Sequence, residues 1–426
     1  MTETSSSVPP KRLLGVLFLG TLLAALDIAV VGPALPALRE AFGLSERAVA
    51  WTFTAFVLAN LTGLPVMAAL ADRVGRKRVY LFDIGLFAVG TGTTVLAKET
   101  IIARTQPLVH GKYGYGILAP DGVSITLERV AITDNHYIGL FTFGTGTTVL
   151  AKEVLFARTQ PLPDGQWGWG ISVQSSALLS LERAAITDNY DIGLFASELG
   201  TTVNAADVII ARTRQDTPGS AGRGINAQSS AQLTFERTAV TDNHDIGLFA
   251  AAGATVTATE MMIARTQPVD DGSGGRGAYV QNGAQLTLEG AAILDSHEAG
   301  VMFLAADGSV TNSLLANTSS SPANILGLAD GLLATAADSS LGFVLTVSGV
   351  IARGNARAGV FFDNAGGAIK GCVSTDNGIG LVVQGEARPD VEQSNVIESN
   401  NENLLSDGDL AVPDTPIELP DLPELD

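Results

Sequence analysis

The chain has 426 residues, a formal net charge of −19 and one cysteine, Cys372. That length accommodates more than one domain; the lone cysteine excludes an internal disulfide and any cysteine-based zinc cluster, and the acidic balance argues against nucleic acid as a partner, because phosphates would be repelled. The charge is also uneven: residues 1–82 carry eight Lys or Arg against five acids, a balance of +3, which leaves −22 on the remainder, a surface that favours solubility and attracts divalent cations.

From Leu13 to about Leu38 the chain is apolar apart from Asp27, and it is apolar again from Ala48 to Ala71. Each run is long enough to cross a bilayer core of about 30 Å, so both read as transmembrane helices forming a hairpin. Lys11 and Arg12 precede the first; Arg73, Arg76, Lys77 and Arg78 follow the second. The positive-inside rule then places both ends in the cytoplasm, as a multi-pass segment of an inner or plasma membrane with a cytoplasmic N-terminus. The first span is too long, and lacks the small-residue exit, for a cleaved signal peptide.

Two phrases in this segment, "ALDIAVVGPALPAL" and "AALADRVGRKRV", resemble the start of a major facilitator superfamily transporter, especially its drug:proton antiporters. The resemblance implies that Asp27 takes part in proton coupling and that Asp72, Arg73, Gly75, Arg76 and Lys77 form the family's signature cytoplasmic loop, its charges acting as a latch between helices. A carboxylate within a span is costly unless functional, which agrees with that role for Asp27. Ala68 departs from the family pattern, which has glycine there. The resemblance ends at about Phe82, after two helices, whereas the family fold needs two six-helix halves, so transport by this chain alone is not expected.

From Asp83 a different pattern begins. "DIGLF" or "YIGLF" starts at Asp83, Tyr137, Asp191 and Asp245, a period of 54 residues, and "AGVMF" follows from Ala299. Residues 90–99 are identical to residues 144–153, so the stretch after Phe82 belongs with the repeat and the junction falls at Phe82 and Asp83, as in a chimeric gene. Each unit holds two related phrases, such as "GWGISVQSSALLSLERAAITDN" at 168–189 and "IGLFASELGTTVNAADVIIART" at 192–213. Both read as a short apolar strand, a small polar turn, an alternating strand and a second turn, so two coils per unit are expected. Leu179, Leu181 and Ile186 are candidates for inward positions. These features, with Gly and Asn at the corners, predict a mainly β fold, a right-handed parallel β-helix over residues 83–401 of about a dozen coils, and the region resembles bacterial β-helix repeat proteins. Residues 402–426, acidic and proline-rich, read as a disordered tail.

Stacked coils align like residues. Asn135, Asn189 and Asn243 should form a structural amide ladder. Asp134, Asp188 and Asp242 lie beside them but are spaced too far apart to share one calcium ion, and no metal or other cofactor is expected. Arg104, Arg158, Arg212 and Arg265 form a row most simply paired with acids. Glu128 with Arg129, Glu182 with Arg183 and Glu236 with Arg237 read the same way.

The least bland feature is the long loop of each unit, "QPLVHGKYGYG", "QPLPDGQWGWG", "RQDTPGSAGRG" and "QPVDDGSGGRG". Tyr113, Tyr115, Trp167, Trp169, Arg223 and Arg276 should line a crest of flat rings and guanidinium groups, suited to a polysaccharide or a partner protein. Resemblance to β-helix polysaccharide lyases or hydrolases implies an enzyme as one alternative. Yet the acids recur once per unit instead of converging, and the four histidines, His110 included, are scattered. His136 and His244 share their repeat position with Tyr190, with His297 nearby in a weaker unit, a position that reads as a surface corner. The reading is a membrane-associated, non-catalytic β-helix repeat protein with a structural or binding role; a truncated or fused proton-coupled transporter is the other alternative.

Overall fold

The chain separates into two units, Met1–Ile84 and Gly85–Asp426. A computed structural model describes residues 94–107, 113–215, 221–336 and 343–420, all in the second unit. The expected helical hairpin, the junction at Phe82 and Asp83, His110 and the transporter-like residues Asp27, Asp72, Arg73, Gly75, Arg76 and Lys77 lie outside the described residues.

The described residues form thirty-six short strands, three per coil, in three parallel sheets of twelve strands. In the first coil these are β1 (Thr94–Lys98), β2 (Ile101–Ala103) and β3 (Ile117–Ala119), and every third strand thereafter continues the same sheet. The result is the parallel β-helix expected from the repeat. Coils of two lengths build the period: Thr94 pairs with Ser124 after 30 residues, and Ser124 with Thr148 after 24. The longer coils carry the long loop between their second and third strands, where eleven residues separate Ala157 from Trp169 but only four separate Thr133 from Ile138.

Alternation in the first two sheets sends one set of side chains inward. Leu179, Leu181 and Ile186 are 0%, 2% and 0% exposed, inside a core running the length of the solenoid. A coil cannot bury that apolar face alone; stacking on its neighbours removes it from water, at roughly 1.5–3 kcal/mol for each large side chain fully buried.

The amide ladder lies inside this core. Asn189 accepts from the Thr159 amide at 3.0 Å and donates to the Phe156 carbonyl, and Asn243 does the same with Thr213 and Ile210 at 2.9 and 3.1 Å. Buried Thr159, Thr213 and Thr266 occupy the equivalent place in intervening coils. Of the sequence-predicted ion pairs, Arg158, Arg212 and Arg265 fork onto Asp134, Asp188 and Asp242 with closest contacts of 2.7 Å, holding those carboxyls below the usual aspartate range, and Arg183 and Arg237 meet Glu182 and Glu236. Glu128 instead pairs with Lys98 at 2.7 Å and Arg129 with Glu99 at 3.0 Å, because the strand pairing brings these partners from the previous coil.

The C-terminus differs from expectation. Residues Glu402–Ser406 form β36, the twelfth strand of the third sheet, and the chain then runs back along that sheet's outer face. The side-chain amide of Gln384 exchanges hydrogen bonds with the backbone of Leu410 at 2.9 and 3.0 Å, and Gln281 does so with Ile417 at 2.7 and 2.8 Å. Leu410, Val412 and Ile417 pack on an apolar cluster that includes Tyr279, Met302, Leu333 and Phe361. An acidic, proline-rich composition conceals these three apolar anchors, and they have somewhere to go because the outer face of the third sheet is itself apolar.

Candidate functional site

The long loops and the outer face of the third sheet converge on one row. A turn closes two of the loops in the same way: Leu162 N donates to Gln166 O and Val269 N to Ser273 O, each at 2.9 Å. The loop then re-enters the sheet through a glycine whose amide bonds the preceding coil; Gly222 N donates to Asp191 O at 2.9 Å. Gly222 has φ +91°, and a Cβ there would lie 2.7 Å from His244 Cβ, so glycine is needed for both its backbone angle and its close approach.

After that glycine come Trp169, Arg223 and Arg276, aligned by pairing with Ile138, Ile192 and Ile246. The six loop residues are thus brought to one flank, but their exposure differs from expectation. Trp169 is 1% exposed and Arg223 is 5% exposed, while Tyr113, Tyr115, Trp167 and Arg276 are half-buried. The two tryptophans pack edge to face at 4.8 Å, and Tyr115 stacks on Phe141 at 5.5 Å, within a cluster containing Ile192 and Phe195. The expected open crest is instead mostly folded down onto the sheet. Third-sheet strands such as "IGLFAS", apolar throughout, carried the signal for burial on both faces.

Three of the six loop side chains, Trp169, Arg223 and Arg276, have an acid one coil later as a partner, whereas Tyr113, Tyr115 and Trp167 pack against rings. Trp169 Nε1 donates to Asp191 at 2.6 Å, Arg223 Nε donates to Asp245 at 3.1 Å and Arg276 forms an ion pair with Glu298 at 2.7 Å. Arg223 also lies over the Phe249 ring at 4.4 Å, and Arg276 over Tyr279 at 5.0 Å. Arg357, over the Phe361 ring, makes a similar buried pair with the order reversed, its acid Asp330 lying one coil earlier. Burial pushes the Tyr279 hydroxyl up to about 12. The acids of the recurring "DIGLF" therefore hold the loops down in a row of buried pairs.

Asp191 differs from the other acids in lacking a directly bonded guanidinium. Burial raises its carboxyl pKa, against the lowering effects of the Trp169 and Ala221 N–H groups and Arg223. A carboxyl with a raised folded pKa stabilises fully below its unfolded value and loses that contribution as pH rises through the folded value. Asp191→Asn should therefore flatten the decline in stability above about pH 4, while imposing a pH-independent offset of about 1–2 kcal/mol for one lost acceptor. Urea melts from pH 4 to 8 read both; a variant that declines as steeply as the parent would remove Asp191 as the source.

The corner histidines bond backbone: the Nδ1 atoms of His136, His244 and His297 lie 3.0, 3.0 and 3.1 Å from the carbonyls of Thr105, Thr213 and Thr266. Among the described residues, no three His, Cys, Asp or Glu side chains are grouped to hold a metal, and no helix is long and apolar enough to cross a membrane.

Comparison with known proteins identifies the N-terminal part. The sequence model of the Major Facilitator Superfamily matches residues 17–107. The 3-(3-hydroxy-phenyl)propionate transporter of Escherichia coli (strain K12) is 32% identical over 127 residues, covering 30% of this chain and 31% of the transporter. The multidrug resistance protein B homolog of Mycobacterium tuberculosis is 31% identical over 114 residues, 27% of this chain and 21% of that protein. The efflux pump dotC of Dothistroma septosporum is 35% identical over 102 residues, 24% of this chain and 17% of the pump. The chain thus spans a third or less of the length of these relatives. The family match also runs over β1 and β2, which pair in register with Ser124–Glu128 and Ala131–Thr133 of the next coil. "TVLAK" forms the same strand at Thr94–Lys98 as at Thr148–Lys152, so this end of the match is solenoid in structure.

Proposed function

We propose that this chain, with a transporter-like segment of the Major Facilitator Superfamily type followed by a parallel β-helix, is a membrane-associated, non-catalytic scaffold. The N-terminal segment supplies the membrane attachment, since its relatives are transporters by name. The β-helix supplies a rod with a structural or partner-binding role. The observation that supports a scaffold is the engagement of the repeat's polar groups with one another. The acids Asp191, Asp245, Glu298 and Asp330 each hold a donor from a neighbouring coil, and they recur along the rod. Hydrolysis of a glycosidic bond needs two carboxylates about 5–9 Å apart and facing one bond.

A proton-coupled efflux reading is favoured by one observation, that Asp27 and the Asp72 to Lys77 loop lie within the matched span. Against it stands the family's need for two six-helix halves, of which the chain matches a small part. Full-length protein should stay in the membrane pellet after an alkaline carbonate wash, and vesicles containing it should show no proton-driven dye efflux. Recovery in the supernatant would remove the membrane attachment. Efflux that is lost in Asp27→Asn would replace the scaffold with a transporter.

A further inference from the structure

The outer face of the second sheet is an exposed apolar stripe with a two-coil rhythm. Over the first eight of its twelve strands the first outward position alternates large and small: Ile101, Ala131, Leu155, Ala185, Ile209, Ala239, Met262, Ala292, aligned coil on coil by strand pairing. The last four, Leu314, Ile351, Val373 and Val396, are all large and lie beyond the alternating stretch. Ile101 is 76% exposed, Ile209 50% and Met262 37%, which is unusual for side chains of this size set in a row. A shallow groove of about 750 Å³ runs along the stripe and is lined by Ile101, Ala131, Leu155, Ala185 and Ile209.

Charge follows the same rhythm on both borders. Coils with a large residue have an acid before it and an arginine after it, as in Glu153, Leu155, Arg158 and in Asp207, Ile209, Arg212. The alanine coils of Ala131, Ala185 and Ala239 invert the order, as in Arg183, Ala185, Asp188 and in Arg237, Ala239, Asp242, while the coil of Ala292 has Gly290 in place of the arginine. These charged groups pair within the chain but stay open to solvent; the side chains of Arg158, Arg212 and Arg265 keep 50%, 50% and 51% of their surface.

We propose that this stripe docks a second copy of the chain, antiparallel, about a two-fold axis between the coils of Ala185 and Ile209. A half-turn about an axis perpendicular to the solenoid reverses coil order and leaves the two borders on their own sides. Each large residue then faces an alanine: Ile209 meets Ala185 of the second copy, Leu155 meets Ala239, Met262 meets Ala131 and Ile101 meets Ala292. The same operation sets Asp207 against Arg183, Glu153 against Arg237 and Arg158 against Asp242. A parallel arrangement would match the charges but set large residues against each other. Only the antiparallel one satisfies both borders and the stripe, and it is isologous, so it closes as a dimer. Eight coils at about 4.8 Å give a face about 35 Å long, hence roughly 600 Å² per copy, at the lower end of specific interfaces.

The test uses full-length protein in detergent. Leu155→Cys with Ala239→Cys should yield a covalent dimer on a non-reducing gel under mild oxidation, and each single variant should stay at single mass. Three coils separate the two positions, which prevents their closure within one chain, and Cys372 is buried. Light scattering on the unmodified protein should report twice the 44.0 kDa chain mass, and Ile209→Glu should weaken association at least tenfold. A double variant that stays monomeric, a Leu155→Cys single variant that cross-links as well, a ladder of higher species, or a parent at single mass would each overturn the proposal.

Discussion

Arg357→Met should destabilise the C-terminal coils by about 3–5 kcal/mol, the cost of leaving a buried carboxylate without its cation. Asp330 is 0% exposed, and Arg357 forks onto it, with Nε at 2.8 Å from one carboxyl oxygen and Nη2 on the other. Without the guanidinium, Asp330 keeps only the Ala358 amide at 3.2 Å. Arg357 also donates to Ala411 O at 2.8 Å, so the C-terminal segment should loosen at the same time. Solenoids unfold by segments, so the measurement is hydrogen exchange in Ala329–Thr335 and Ala358–Asp363. The loss should be pH-dependent. Burial already pushes the Asp330 carboxyl up, and removing Arg357 pushes it further. A group with a raised folded pKa favours the folded state as pH falls, so the deficit of the variant should shrink toward pH 4. Adding Asp330→Leu should recover most of the stability, because no buried charge is then left unpaired. A loss below about 1 kcal/mol, or one indifferent to pH, would mean the pair does not hold this face.

The solenoid was legible because its constraint is local and repeated. Alternation in "ALLSLERAAIT" places Leu179, Leu181 and Ile186 inside, and the "TDN" corner places an amide where every second coil can use it. The candidate site was legible only in part. Its position on one flank follows from the period, but the exposure of Trp169 and Arg223 depends on what covers the third sheet. That sheet is buried on both faces, so period-two reasoning applied to its neighbours does not transfer. The acids that hold the loops down, Asp191, Asp245 and Glu298, stand in the most conspicuous phrase of the repeat. Their partners enter from the previous coil, twenty-two residues earlier, a separation no local pattern marks. The C-terminal strap was hidden for a related reason: composition reports the average character of a segment, whereas docking needs only Leu410, Val412 and Ile417 in register with an apolar groove.

Substitution of Asn243 should separate the structural role of the ladder from mere packing. Asn243 is 1% exposed, accepts from the Thr213 amide and donates to the Ile210 carbonyl, so it closes two backbone groups of the preceding coil that water cannot reach. Asn243→Leu keeps similar volume, leaves the Thr213 amide unpartnered and removes one of the donors to the Ile210 carbonyl, which stays in the β ladder, at about 1–3 kcal/mol in all, independent of pH. Asn243→Asp should behave differently. An ionised carboxylate keeps the bond from Thr213 but turns a second oxygen toward the Ile210 carbonyl, and burial drives it to take up a proton. Protonated, it has one donor and one acceptor and can make both bonds, so its deficit should be large at pH 7 and should fall as pH drops toward the ordinary aspartate value of about 4. Hydrogen exchange in Ile209–Ala211 and Ala239–Thr241 reads the effect where it arises. Parallel pH profiles for the two variants would show that the site needs only volume. Converging stability at low pH for Asn243→Asp alone would show that it needs a donor and an acceptor at fixed positions. That requirement sets the register, because a coil slipped by one residue would turn this amide outward and strand the Thr213 N–H in the core.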